Sequence, residues 1–360
     1  MRCRACDGAT DVVFEMAPMP LAGAFAETEV EARAATKYPL AWRRCRACGL
    51  VNVEPDIPDE VIYRTYSYAA SSVPALVRHH ADFARVLAAR YRTPIRLAEI
   101  GCNDGVLLRQ LPRSWDLVGI DPSDVARRNV SGYQLINRPF TSDVARDIGT
   151  VDVVTSSNSF AHFSGIGEAL AGVASMLRPG GEFWLEVHDL DATLASGQWD
   201  TIYHEHKVEW SVESLRHVIE PLGFRMTGLW RLSLHGGLLR ARFRRGEPQA
   251  VGTPGWPDFA GLRDAYRFRR APVLRRNSAA YGAAGRATVY LNQMPGLPID
   301  YVVDGSPVRV GRYVPGVALP ILPPEAFDAA PPASTLITAW NHAADIKARH
   351  PDYAGWVSAW

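Results

Sequence analysis

Between residues 95 and 187 the apolar positions fall in short blocks rather than in helical stripes. Ile95-Arg96-Leu97-Ala98-Glu99-Ile100, Asp116-Leu117-Val118-Gly119-Ile120, Val151-Asp152-Val153-Val154-Thr155 and Glu182-Phe183-Trp184-Leu185-Glu186-Val187 each read as a strand buried on both faces. Helices are predicted over about 73–92 and 165–177, and a short one over 106–111 that Pro112 stops. Strands alternating with helices predict a doubly wound, mostly parallel α/β sheet. Leu234-His235-Gly236-Gly237-Leu238-Leu239-Arg240 begins a further, closing strand. A second α/β pattern starts near residue 275, with strands at Ala279-Ala280-Tyr281-Gly282, Ile299-Asp300-Tyr301-Val302-Val303 and Thr335-Leu336-Ile337-Thr338-Ala339. The turn-rich Pro254-Gly255-Trp256-Pro257 marks a boundary region. The segment before residue 63 shows little periodicity of either kind. Three parts are therefore expected: 1–72, 73–250 and 251–360.

The turn after the first of these strands decides what the middle part binds. Residues 99–105 read Glu99-Ile100-Gly101-Cys102-Asn103-Asp104-Gly105. A dinucleotide fingerprint needs three glycines as G-x-G-x-x-G, and here Gly101 and Gly105 have no third. An acid two residues before the first glycine, Glu99, fits the turn that holds S-adenosyl-L-methionine. Asp121 ends the next strand, where a carboxylate can accept from both ribose hydroxyls. Asn158 and His162, in Ser156-Ser157-Asn158-Ser159-Phe160-Ala161-His162, follow a third strand at the edge where such sheets bind ligands. Cys102, inside the turn, reads as a small packing residue.

Charge and cysteine usage narrow the classes further. The 360 residues are long enough for two or three domains, and a net charge of +1 gives no reason to expect nucleic acid or an anionic membrane. No apolar run approaches the ~18 residues of a membrane span, and the start of the chain lacks a signal-peptide core, so a soluble, cytoplasmic protein is expected. Four of the five cysteines fall as Cys3-x-x-Cys6 and Cys45-x-x-Cys48. Two such knuckles offer four thiolates to one tetrahedral Zn²⁺, a closed and therefore structural site.

Two stretches carry the candidate chemistry. Residues 63–72 place Tyr63, Tyr66 and Tyr68 among serines in a linker, either packing under a junction or reaching the active site. Tyr203-His204-Glu205-His206 gathers a hydroxyl, a carboxylate and two imidazoles that are costly to bury together. The histidines lack the i, i+4 spacing of a helical metal motif. A general base is the better reading, because imidazole takes and sheds a proton near neutrality, with Glu205 orienting a ring.

Taken together, the paired cysteines, E-x-G-x-N-D-G, S-N-S-F-A-H, Y-H-E-H and H-G-G resemble the sugar C-methyltransferases over nearly the whole chain. The resemblance continues in Ala283-Ala284-Gly285-Arg286, Gly311-Arg312-Tyr313 and Ala339-Trp340-Asn341. It implies a small zinc module, a central Rossmann-like class I methyltransferase domain and a second Rossmann-like α/β domain that binds the sugar nucleotide. It implies a nucleotide-linked 4-keto-deoxysugar as substrate. The residues it points to are His206 as base, with His162 the other possibility, aided by Tyr203 and Glu205. Tyr68, or failing it Tyr66, reaches the sugar; His235, Arg286 and Arg312 bind substrate. Glu99, Gly101, Asn103, Gly105, Asp121 and Asn158 hold the cofactor. The chain departs from the family's usual pattern at Arg286, where a lysine is common, and at Lys207-Val208-Glu209-Trp210-Ser211, where aromatic-serine patterns are usual.

Overall fold

The computed structural model describes residues 1–62, 69–128 and 130–359. Tyr63, Tyr66 and Tyr68 of the linker lie outside the described residues. Three sheets organise the rest.

The first sheet belongs mostly to the amino-terminal part. Thr10–Met19 (β1), Tyr38–Cys45 (β2) and Val51–Glu54 (β3) pair antiparallel in that order. β1 and β2 escape a period-two reading because the register shifts between Val12 and Phe14 and again between Met16 and Met19. Each shift moves the apolar side chains to the opposite face of the sequence pattern.

The central sheet contains Arg96–Ile100 (β4), Asp116–Ile120 (β5), Gln134–Ile136 (β6), Val151–Ser157 (β7) and Leu177–His188 (β8). These run parallel in the order β6-β5-β4-β7-β8. Val208–Glu209 (β9) leaves this part of the chain to become the fourth strand of the first sheet, pairing with β3. Phe224–Leu232 (β10) and Leu238–Arg245 (β11) return antiparallel and extend the central sheet beyond β8. Chain order reverses between β4 and β7, and the crevice above their carboxyl ends is where such sheets take a ligand.

Local pattern explains the flanking helices. Pro74–Arg90 starts with a proline at its first turn and buries Leu76, His80, Phe83, Ala84 and Leu87 along one face. Ile166–Met176 buries Ile166, Ala169, Leu170, Val173 and Met176 against the other side. The helix expected over 106–111 does not form: only a 3₁₀ turn, Leu108–Gln110, is present, and Leu111 is already extended. Pro112 removes the α conformation from the residue before it, which leaves too few residues after Gly105 for a helix to nucleate.

The third sheet is parallel throughout, in the order Ile321–Leu322 (β14), Ile299–Val303 (β13), Ser278–Tyr281 (β12), Ser334–Ile337 (β15) and Trp356–Ser358 (β16). The helix Gly285–Gln293 follows β12 and points its start at the central part. No helix among the described residues is long and apolar enough to cross a membrane.

Candidate active site

One cavity of about 390 Å³ lies above the reversal between β4 and β7, walled by all three parts of the chain. It runs from Glu99, Asn103 and Asp121 past His162, Tyr203 and His206 to Arg309 and Arg312. A shallower groove of about 880 Å³ along the helix Val212–Ile219 includes none of the candidate residues.

At the cofactor end, backbone geometry explains the residue types. Gly101 has φ +74°, and a Cβ there would sit 2.4 Å from Ser159 Cβ, so only glycine fits. Asn103 adopts φ +49°, which asparagine tolerates better than most side chains. Its Oδ1 accepts from Ala70 N at 2.9 Å, while Asp104 Oδ2 accepts from Ser71 N at 3.2 Å. The N-D pair of the motif thus pins the start of the segment leading into Pro74–Arg90. Gly105 does not line the cavity; its missing side chain makes room for the Tyr133 ring, with Oη 2.5 Å from the Cβ position.

Asp121 accepts from Asn103 N at 2.9 Å and from Ser123 N at 2.8 Å, which orients its carboxylate across the turn. Glu99 is buried, and its Oε2 has no hydrogen-bond partner among the described residues. Burial, and then the neighbouring Asp121, Glu186 and Asp104, push its carboxyl well above the ordinary range. Asn158, at φ +56°, leaves Oδ1 buried and unpartnered in the same way. Such buried acceptors are costly until a donor reaches them. They fit the amino group and hydroxyls of S-adenosyl-L-methionine.

The middle of the cavity is an imidazole cluster. Tyr203 Oη lies 2.6 Å from His206 Nε2. His188 and His162 pack on the His206 ring at centroid distances of 4.6 and 5.3 Å. Burial, then His188, His162, His235 and Arg286, hold His206 well below the ordinary histidine range, so the ring is neutral at physiological pH. His162 donates through Nδ1 to the Glu205 carbonyl at 2.7 Å, which fixes its tautomer. His235, at φ +54°, is also pushed down, to about 3, chiefly by burial.

Glu205 does not orient an imidazole through its carboxylate, as the sequence suggested. Its Oε1 accepts from Gly23 N at 2.7 Å, tying the amino-terminal part to the cavity. His204 points elsewhere too, with Nε2 donating to the Pro39 carbonyl at 2.8 Å, so it shares no ligand with His206. The residues beside His206 that sequence reasoning missed are His188 and Glu209. His188 ends β8, and its strand-end place in a parallel sheet was the available signal. Glu209 had none, since its position depends on β9 joining another sheet.

At the far end, Arg286 donates to Asp200 through Nε at 3.1 Å and Nη2 at 2.7 Å, to Gln198 at 3.0 Å and to the His235 carbonyl at 2.9 Å, under the Trp340 ring. It therefore clamps the central part to the carboxyl-terminal one. Arg309 pairs with Asp304 at 3.0 Å, and Arg312 with the exposed Glu27 at 2.9 Å. Gly285 lets the Tyr203 ring rest on the start of its helix, since a Cβ would lie 3.2 Å from that ring.

The four candidate metal ligands also meet. The sulfurs of Cys3, Cys6, Cys45 and Cys48 all lie within 4.8 Å of one another, with Cys3–Cys48 at 3.6 Å and Cys6–Cys45 at 3.5 Å. Those separations suit four thiolates around one ion with Zn–S bonds of about 2.3 Å. None of the four lines the cavity, so the donor set fits a structural zinc.

Three family models match consecutive parts of the chain. One whose description proposes zinc binding matches residues 3–63, a methyltransferase domain matches 74–229, and a C-methyltransferase C-terminal domain matches 273–360. The C-methyltransferase NovU of Streptomyces niveus is 29% identical over 385 residues, covering 96% of this chain and 90% of the relative. The biotin biosynthesis bifunctional protein BioCD of Bordetella avium (strain 197N) is 30% identical over 167 residues, 43% of this chain and 34% of that protein. Among solved structures, the Burkholderia thailandensis 1,6-didemethyltoxoflavin-N1-methyltransferase, with S-adenosylhomocysteine bound, is 16% identical with a TM-score of 0.37. It covers 55% of this chain and 96% of its own.

Proposed function

We propose that the chain is a zinc-containing sugar C-methyltransferase and that it methylates the carbon next to the ketone of a nucleotide-linked 4-keto-deoxysugar, with dTDP as the carrier. The reading rests on one observation above all. The Glu99–Asp121 turn, the His162–Tyr203–His206 cluster and the arginines 309 and 312 wall a single cavity. S-adenosyl-L-methionine, when bound at that turn, supplies a methyl group on an electrophilic sulfonium. The residues of this chain supply the nucleophile and the alignment.

A carbon–hydrogen bond is too weak an acid to lose its proton unaided, but a ketone on the adjoining carbon spreads the charge as an enolate. His206, neutral because it is buried among other imidazoles, takes that proton at Nε2. Tyr203 Oη, already within 2.6 Å of the same nitrogen, is placed to donate to the enolate oxygen as charge develops there. Arg309 and Arg312 hold the diphosphate at the outer end, and Arg286 keeps the carboxyl-terminal part docked so that sugar and methyl donor stay in register. Zinc has no step in this chemistry.

Incubating the protein with a dTDP-4-keto-6-deoxysugar and S-adenosyl-L-methionine should give a product heavier by one methylene, with the new carbon bonded to ring carbon by NMR. Deuterium wash-in at that carbon without methyl gain would instead identify an epimerase. A methyl on oxygen would identify an O-methyltransferase. Tight binding of both ligands with no exchange would make the chain a non-catalytic binder.

A further inference from the structure

A buried carboxyl stands behind the proposed base, on the side away from Tyr203. Glu209 Oε1 lies 3.5 Å from His206 Nδ1, close enough to pair electrostatically, and neither atom has a hydrogen-bond partner among the described residues. Glu209 is 2% exposed and His206 5%. The other ring nitrogen, Nε2, meets Tyr203 Oη at 2.6 Å. Hydroxyl, imidazole and carboxyl therefore stand in a row, with the hydroxyl at the cavity wall. The backbone under Glu209 is held by the β3–β9 ladder, so the carboxyl is presented from a sheet rather than from a loose loop.

A carboxyl so placed has two states with opposite consequences. Protonated, it donates to Nδ1, and the ring proton moves to Nε2, where no lone pair is left for the substrate. Ionised, it accepts from Nδ1–H and leaves Nε2 with a lone pair, which accepts from the Tyr203 hydroxyl until substrate draws that hydroxyl to its own oxygen. We propose that Glu209 is a positioning residue that sets the tautomer of His206, holding the proton on Nδ1 so that Nε2 is the base. The inference rests on the reading of His206 as the base.

The step balances without a further reactant. Nε2 takes the proton from the sugar carbon, and the C–H electron pair passes into the adjoining C–C bond as the ketone becomes an enolate. The imidazolium formed is ion-paired with the Glu209 carboxylate. Once the carbon is methylated, the ring proton leaves to solvent with product, and the starting tautomer returns.

The surroundings put the switch in a usable range. Burial pushes the Glu209 carboxyl up to about 8, opposed by Arg286. The groups that face the pair are His188 from β8, His162 from the loop after β7, Tyr203, His235 and Arg286. Of these only Arg286 carries a fixed charge, and its guanidinium is bound to Asp200. Base-competent pairs therefore accumulate as pH rises through about 8.

Long-range ¹H–¹⁵N spectra of histidine-labelled protein read the tautomer directly and need neither substrate nor cofactor. A failure here is thus distinct from a failure of the proposed reaction. His206 should change from Nε2–H to Nδ1–H between pH 6 and 9, with a midpoint near 8. Glu209→Gln, nearly the same shape, should abolish the change, and Glu209→Asp should restore it with a displaced midpoint. With substrate, Glu209→Gln should slow carbon-bound proton exchange about 100-fold or more with KM little altered. One tautomer throughout the pH range in the natural protein, or the same change in Glu209→Gln, overturns the proposal. So does a second equivalent of Zn²⁺ that binds the natural protein and not Glu209→Gln, because His188, His206 and Glu209 would then serve as ligands.

Discussion

Val51 and Glu209 are cross-strand partners in the antiparallel pair β3–β9. The strand leaving the cysteine cluster at Cys48 and the strand leaving His206 therefore share one hydrogen-bonded ladder. Val53 N extends it by donating to the Lys207 carbonyl at 2.9 Å. Lys207, 1% exposed at its side chain, then reaches back to the Ile57 carbonyl at 3.1 Å and to Asp59. The cysteine-rich module thus holds the backbone on which the proposed base is mounted.

Removing the metal should therefore loosen the active site as well as the cysteine knuckles. Chelation, or Cys48→Ser, is expected to raise amide hydrogen exchange at least 10-fold in residues 51–54 and 206–210 alike. Mass-spectrometric exchange checks this. Unchanged protection over 206–210 after metal loss would separate the two regions.

Gly101→Ala should cost about 2–3 kcal/mol, since its Cβ meets Ser159 Cβ at 2.4 Å in a backbone already at φ +74°. Gly132→Ala is the matched control. It also sits at positive φ, +79°, with nothing within 4 Å of the added atom, and should cost about 1 kcal/mol. Denaturant titrations of both variants give the comparison. Equal losses would mean that the clash at Ser159 relaxes freely.

Glu99→Gln tests the cofactor end. If the buried Glu99 carboxyl receives the cofactor's cationic amine, as proposed, its replacement should weaken S-adenosylhomocysteine by about 10–100-fold, a loss of roughly 1.5–3 kcal/mol. Calorimetry measures it. An unaltered affinity would place the ligand's amino group elsewhere.

Stability should fall on both sides of neutrality, for opposite reasons. His80 is buried and pushed down to about 4 from an ordinary 6.5. Below pH 6.5 the unfolded chain binds the proton that the folded chain refuses. Stability present above that pH, about 3 kcal/mol for this group, is lost as pH falls through 4. His235, pushed to about 3, acts in the same direction. Glu209, pushed up to about 8 from 4.5, acts in the other: its contribution is complete below 4.5 and lost as pH rises through 8. Urea unfolding between pH 4 and 9 should show both limbs. Glu209→Gln should make only the alkaline limb shallower and His80→Leu only the acid one, where His235 still contributes.

The inner strands of the central and third sheets were legible because burial on both faces writes an apolar block, as at 116–120 and 299–303, whose ends the structure reproduces, whereas the short outer strands β6, β14 and β16 carry no such block. The convergence of the four cysteines was legible because two C-x-x-C knuckles are the spacing that brings four sulfurs to one point. The glycine turn was legible because positive φ at Gly101 admits little else. What stayed hidden depends on pairing between distant segments. β1 and β2 are masked by register shifts, and β9 is two residues long with no pattern of its own. The neighbours of each side chain at the site followed from that pairing alone. From order in the chain Glu205 looked like the partner of an imidazole, yet its carboxylate turns to Gly23, and Glu209, carried round by β9, faces His206 instead. Residue type and spacing thus determined which chemical groups this protein brings to its centre. Only the folding of one short strand into a foreign sheet decided which of them touch, because contact between side chains is set by backbone direction, which no local pattern records.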